Sequence, residues 1–157
     1  MDWTTLFIFL HVLLMAFWLG ADMGTYYSAQ LILNREYSPP QRAVLARVLQ
    51  GVDIFPRLAM TMMIPTGMTI AYNKGWAPVG VPWLVVIWAV GAVWAWVVWN
   101  SHRPTAPEWG KKLHGIENIW NYVLLALVVV GLIVSLSAGD LFPENWLRLK
   151  IALYGVT

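Results

Sequence analysis

The chain has 157 residues, 59% of them hydrophobic and 11% charged, with 11 Trp, a formal charge of +2 and a mean hydropathy of +0.61. Soluble domains carry about 25% charged residues, so this composition excludes an ordinary soluble domain and points to a polytopic membrane protein. The basic residues are scattered, which leaves no patch for nucleic acid, and the absence of Cys excludes disulfides, thiolate metal sites, iron–sulfur clusters and a cysteine nucleophile.

The first apolar run, 6–33, reads LFIFLHVLLMAFWLGADMGTYYSAQLIL. About 20 apolar residues suffice to span a bilayer, so His11 and Asp22 are expected inside the hydrocarbon zone, where a carboxylate costs roughly 2.5–3.5 kcal/mol. On a straight helix, steps of about 100° return Asp22 to within about 20° of His11. His11, Met15, Trp18 and Asp22 therefore form one stripe, expected to face protein or a cavity. Ala16, Gly20, Gly24 and Ser28 form a second stripe on nearly the opposite side, with the small-residue spacing that lets another helix approach closely. Met1-Asp2-Trp3 lacks the positive region of a signal peptide, so this helix is expected to stay in the mature protein.

Residues 34–51 read as a polar loop, broken at Pro39-Pro40, with a short interfacial helix over Gln41 to Gln50. A second span, 52–72, opens with Asp53, Pro56 and Arg57 and carries Pro65 and Gly67, a combination that kinks membrane helices. After a Gly/Pro turn, the third span runs over 83–100, bracketed by Trp83 and Trp99 as in an interfacial aromatic belt. A loop over 101–113 leads to the fourth span, 116–138, whose approach and first turns are polar (His114, Glu117, Asn118, Asn121) and whose later part repeats small residues at Gly131, Ser135 and Gly139. Residues 141–157, with Pro143 as a candidate first helical position, read either as an interfacial amphipathic helix or as the first half of a fifth span. The expected fold is one all-α domain, 1–157: a polytopic membrane helix bundle with four spans and a candidate truncated fifth.

Loops 34–51 and 101–113 hold six Lys and Arg against one, Lys74, in the loop between spans two and three. The positive-inside rule then puts both loops in the cytoplasm and the N-terminus outside, in the inner membrane of a bacterium.

Chemistry-bearing residues gather at the cytoplasmic end. Asp53 and Arg57 share a helix face at i,i+4, and Arg57 is equally placed to neutralise Asp22 on the neighbouring helix. His114 and Glu117, at i,i+3, project to one side, and His102 would complete three ligands for a first-row transition metal such as copper or iron. A b-type haem is the other cofactor reading, with His11 or His102 as axial ligand. Their depths, roughly 15–20 Å apart, oppose both binding one iron; Met60, Met62, Met63 and Met68 offer thioethers. The plainer alternatives are that His11 only packs, hydrogen-bonded to another helix, and that His114 is solvated at the interface. No P-loop, dinucleotide fingerprint, HExxH motif or nucleophile elbow is present.

His11 followed by Trp18-Leu19-Gly20-Ala21, Pro65 and Gly67 in span two, His102 after an aromatic-rich span three and Glu117-Asn118 at span four together resemble the small polytopic membrane proteins of the copper-resistance D and HemJ type, over about 130 residues. Trp18 to Tyr27 and Asp53 to Gly67 are more similar still to small bacterial integral membrane proteins of unassigned function. The resemblance implies a helical membrane fold, with His11 and His102 at the positions matching a porphyrin or metal role. HemJ-type proteins are haem-binding protoporphyrinogen oxidases with a lysine shortly after the Trp that opens span three; here Trp83 is followed by Leu84-Val85-Val86-Ile87, and the Trp-x-x-x-Lys pattern recurs at Trp146 to Lys150. The function expected is a haem- or porphyrin-linked redox role. The alternative is a non-catalytic subunit or assembly helper of a larger membrane complex, and copper permeation stands third. Expected partners are lipids and helices of a homo-oligomer or larger complex.

Overall fold

The computed structural model describes residues 2–77, 79–103, 105–138 and 145–156. All regular structure among them is helical: α1 (Trp3–Leu33), α2 (Pro39–Asn73), α3 (Val81–His102), the single turn α4 (Glu108–Lys111), α5 (His114–Ala138) and α6 (Asn145–Val156). Among the described residues, three stretches are long and apolar enough to cross a membrane: Trp3–Leu33, Val81–His102 and Glu108–Ser137. Large apolar side chains such as Phe9, Met23, Val85 and Leu136 stand exposed along them, as an apolar surrounding requires.

α1 starts where Asp2 Oδ1 accepts the Thr5 N–H at 2.6 Å, and hydrogen bonding by Thr5 holds the Asp2 carboxyl below the usual carboxylate range. Its covered residues are spaced three and four apart: Thr4, Phe7, His11, Leu14, Trp18, Ala21, Thr25, Ser28 and Ile32 are all buried or half-buried. That 3.5-residue repeat is the signature of two helices wound gently about each other, here α1 on α2. It corrects the expected stripe. Counting eleven residues on a straight helix leads from His11 to Asp22, but the wound interface reaches Ala21, and both Met15 and Asp22 turn outward and are exposed.

α2 lies between α1 and α3, and it contributes the buried Ile54, Ala59, Thr61, Pro65, Thr66, Thr69 and Ala71. The polar loop expected over 34–51 shrinks to 34–38, because Gln41 to Gln50 continue unbroken into the second apolar run. Pro39 and Pro40 start the helix instead of breaking it: in the first turn a missing N–H costs nothing, and the Gln41 carboxamide oxygen accepts the Ser38 N–H at 2.8 Å. Gly51 is carried within the helix, a cost of about 1 kcal/mol.

Pro65 leaves the Thr61 carbonyl without its helical donor, and at that level α3 offers Gly91. A Cβ there would lie 2.6 Å from Pro65 Cγ and 3.4 Å from the Thr61 carbonyl oxygen. Trp88 fastens the same contact, giving its indole N–H to Thr69 Oγ1 at 3.0 Å while its ring meets Phe7 of α1 at 6.0 Å. At the far end of α3, a Cβ on Gly110 would run into the Asn100 carbonyl oxygen, so a glycine is what allows α4 to fold tightly against α3.

α6 returns along α5. Arg148 donates from Nε to Ser135 Oγ and from Nη2 to the Ser135 carbonyl, each at 3.0 Å. The Tyr154 hydroxyl then reaches the Met60 carbonyl of α2 at 3.1 Å, and its ring meets Trp18 of α1 edge-on at 6.0 Å. α6 therefore packs on α5 and touches α2 and α1 through Tyr154. Gly139 and Pro143 fall outside the described residues.

Candidate functional site

The last turn of α3 and the first turn of α5 are brought together by the short α4 reversal. Nε2 of His102 donates to Glu117 Oε2 at 2.7 Å, and Ser101 Oγ lies 3.1 Å from the same oxygen. The His114 ring stands edge-on to His102, with centroids 4.5 Å apart at 85°. One ligand atom from each of His102, His114 and Glu117 falls within a 4.8 Å span. Metal–nitrogen and metal–oxygen bonds of about 2.0–2.2 Å place the donors of one ion up to about 4 Å apart, so small side-chain rotations suffice to gather these three on a single cation. Glu117 is 5% exposed, and a carboxylate that deep needs the imidazole or a cation beside it.

The three-residue charge group expected around Arg57 is only partly formed. Arg57 Nε donates to Asp53 Oδ2 at 2.7 Å within α2. Asp22 is exposed on α1 and makes no ion pair among the described residues. The shift of the α1 interface to Ala21 is the reason.

His11, on α1, packs against α2 away from this cluster. Its Nδ1 is 2.9 Å from Thr66 Oγ1. The Thr66 hydroxyl also lies 2.7 Å from the Met62 carbonyl, and with its one proton given to that carbonyl it accepts from His11. In that arrangement His11 is the Nδ1–H tautomer and its Nε2 lone pair is left for a ligand. Gly67 makes the room: a Cβ there would stand 3.1 Å from His11 Cε1. Since His11 is level with Gly67 while Gly91 is level with Pro65, the eleven residues from Gly91 to His102 together with the two from Pro65 to Gly67 separate the two histidines by roughly 20 Å along the bundle. One haem iron does not take both.

The small-residue stripe of α1 divides. Ala16 and Gly20 face open space, Gly24 comes within 3.9 Å of Val52 for an added Cβ, and Ser28 is half-buried toward α2. Sequence reasoning missed Thr66, Ser101, Trp94 and Tyr154. The available signal was the run of hydroxyls Thr61, Thr66 and Thr69 inside an apolar segment, each of which needs an acceptor there. No family model, no curated protein and no solved structure matches this chain.

Proposed function

We propose that the chain is a bacterial inner-membrane metal protein that holds a redox-active first-row ion, copper or iron, on His102, His114 and Glu117. The observation that carries this reading is the convergence of two imidazoles and a largely buried carboxylate within 4.8 Å, a donor set suited to such ions. In this reading α1, α2, α3 and α5 are four spans and α6 enters a fifth. The 35 residues of α2 measure roughly 52 Å, ample for a hydrocarbon core of about 30 Å. With the positive loops inside, the cluster lies at the cytoplasmic face, and the likeness to copper-resistance D and HemJ proteins supports a porphyrin or metal role for His102.

A b-type haem on His11 is the second reading, favoured by the Thr66 hydrogen bond that orients the imidazole and frees Nε2. Metal analysis and a visible spectrum of the purified protein separate the two. A stoichiometric metal lost in His102→Ala and Glu117→Gln supports the cluster; a Soret band lost only in His11→Ala supports the haem. Neither metal nor Soret band in protein from a replete membrane retires both and leaves a non-catalytic subunit.

A further inference from the structure

We infer that Arg57 tunes the His102, His114 and Glu117 cluster, its charge favouring the lower oxidation state of the metal held there. The inference deepens the metal reading and rests on it. Helix geometry brings the arginine to the right depth. α2 and α3 run antiparallel with Gly91 level with Pro65, so the eleven residues from Gly91 to His102 match the eleven from Pro65 back to Ile54. His102 is therefore level with the Asp53–Arg57 pair. A cavity of about 320 Å³ where α2, α3, α5 and α6 meet is lined by both Arg57 and Glu117, and Arg57 lies within Coulombic reach of the Glu117 carboxylate. Asp53 is not among the described residues of that lining, so the ion pair turns its positive end toward the cluster.

The charges decide the sign. With two neutral imidazoles and one carboxylate, copper(I) leaves the site neutral and copper(II) leaves one positive charge; iron(II) and iron(III) leave one and two. Burial penalises net charge, and a neighbouring guanidinium adds to the cost of each further positive charge. Arg57 carries its charge at every physiological pH. At a separation of about 10 Å and an effective dielectric of about 20, one unit charge shifts an equilibrium of another by about tenfold. Asp53, whose Oδ2 is 2.7 Å from Arg57 Nε, offsets part of that effect from the side away from the cavity.

The test is a redox titration of the full chain in detergent, loaded with copper or, where copper does not bind, with iron. Ascorbate supplies the electron, ferricyanide removes it, and the paramagnetic resonance of the oxidised ion is followed. Arg57→Gln should favour the oxidised ion about tenfold, a fall in midpoint potential of about 59 mV for one electron. Arg57→Lys, which keeps the charge, should stay within about twofold of the wild type. Asp53→Asn, which leaves Arg57 uncompensated, should shift the potential upward, and it carries the test alone if Arg57→Gln does not fold. A residue that only packs moves the potential without regard to charge. Equal potentials in the wild type and Arg57→Gln, or shifts of the same sign in Arg57→Gln and Asp53→Asn, overturn the inference and leave the metal reading standing. Wild-type protein that binds neither ion removes the metal reading and the inference with it.

Discussion

His102 and Glu117 are fifteen residues apart in the chain, yet Nε2 of one lies 2.7 Å from Oε2 of the other. The bond closes the joint between α3 and α5, which otherwise touch little, so it holds two parts of the bundle together as well as presenting the donors. Replacing Glu117 with Leu strips His102 and Ser101 of a shared acceptor in a buried place, a loss of about 1–3 kcal/mol. Glu117→Gln keeps an oxygen for His102 and should cost less than half as much while still weakening metal binding. Thermal melts of the two variants in detergent check this; equal melting temperatures would show that the bond carries no stability.

The contact of Gly91 with Pro65 makes a second, purely steric expectation. A methyl at position 91 would overlap the proline ring at 2.6 Å, and Pro65 is among the fully buried side chains, so it has nowhere to go. Gly91→Ala should therefore destabilise by about 1–3 kcal/mol, as overpacking does. Gly20→Ala, where an added Cβ meets nothing within 4 Å, should leave stability unchanged or slightly raised, because alanine is the better helix former.

The helical class and the apolar runs were legible because apolar run length and composition are local properties. The third and fourth runs came within two residues of α3 and α5; the i,i+4 spacing of Asp53 and Arg57 carries an ion pair, and the i,i+3 spacing leaves His114 and Glu117 within 4.8 Å of each other, with Glu117 bonded to His102. What failed depended on tertiary geometry. Asp22 was aligned with His11 on a straight helix, and a drift of about 20° per heptad between straight and wound helices was enough to turn it outward. Pro39-Pro40 read as a break because the same dipeptide ends one helix or begins another according to the flanking caps. Thr66, which hydrogen-bonds His11, is 55 residues away in the chain, and no spacing rule links the two.

The Asp22 correction has its own measurable consequence. A double-mutant cycle on Asp53 and Arg57 should show a coupling of about 0.2–1 kcal/mol, the range for a partly exposed pair, whereas the cycle on Asp22 and Arg57 should be additive within about 0.3–0.5 kcal/mol. Asp22→Asn should leave the melting temperature unchanged or raise it, since no described partner loses a bond. Clear coupling between Asp22 and Arg57 would restore the inter-helix pair.

The expectation that another helix packs on the small-residue stripe of α1 is testable on its open side. Ala16 and Gly20 are exposed, and nothing lies within 4 Å of where a Gly20 side chain would begin. In lipid, small residues four apart allow helix backbones to approach closely, close enough for the 4.4–6.8 Å Cα separation of a disulfide. The chain has no Cys, so a single introduced thiol bonds only between chains. Gly20→Cys in native membranes should form a covalent dimer on mild oxidation, and Ser28→Cys, half-buried toward α2, should not. Gly20→Leu should abolish the dimer without lowering the monomer's melting temperature, because the added side chain meets only the second helix. Equal cross-linking at both positions would indicate random collision, and no cross-linking at Gly20 would leave that face to lipid or to a different subunit.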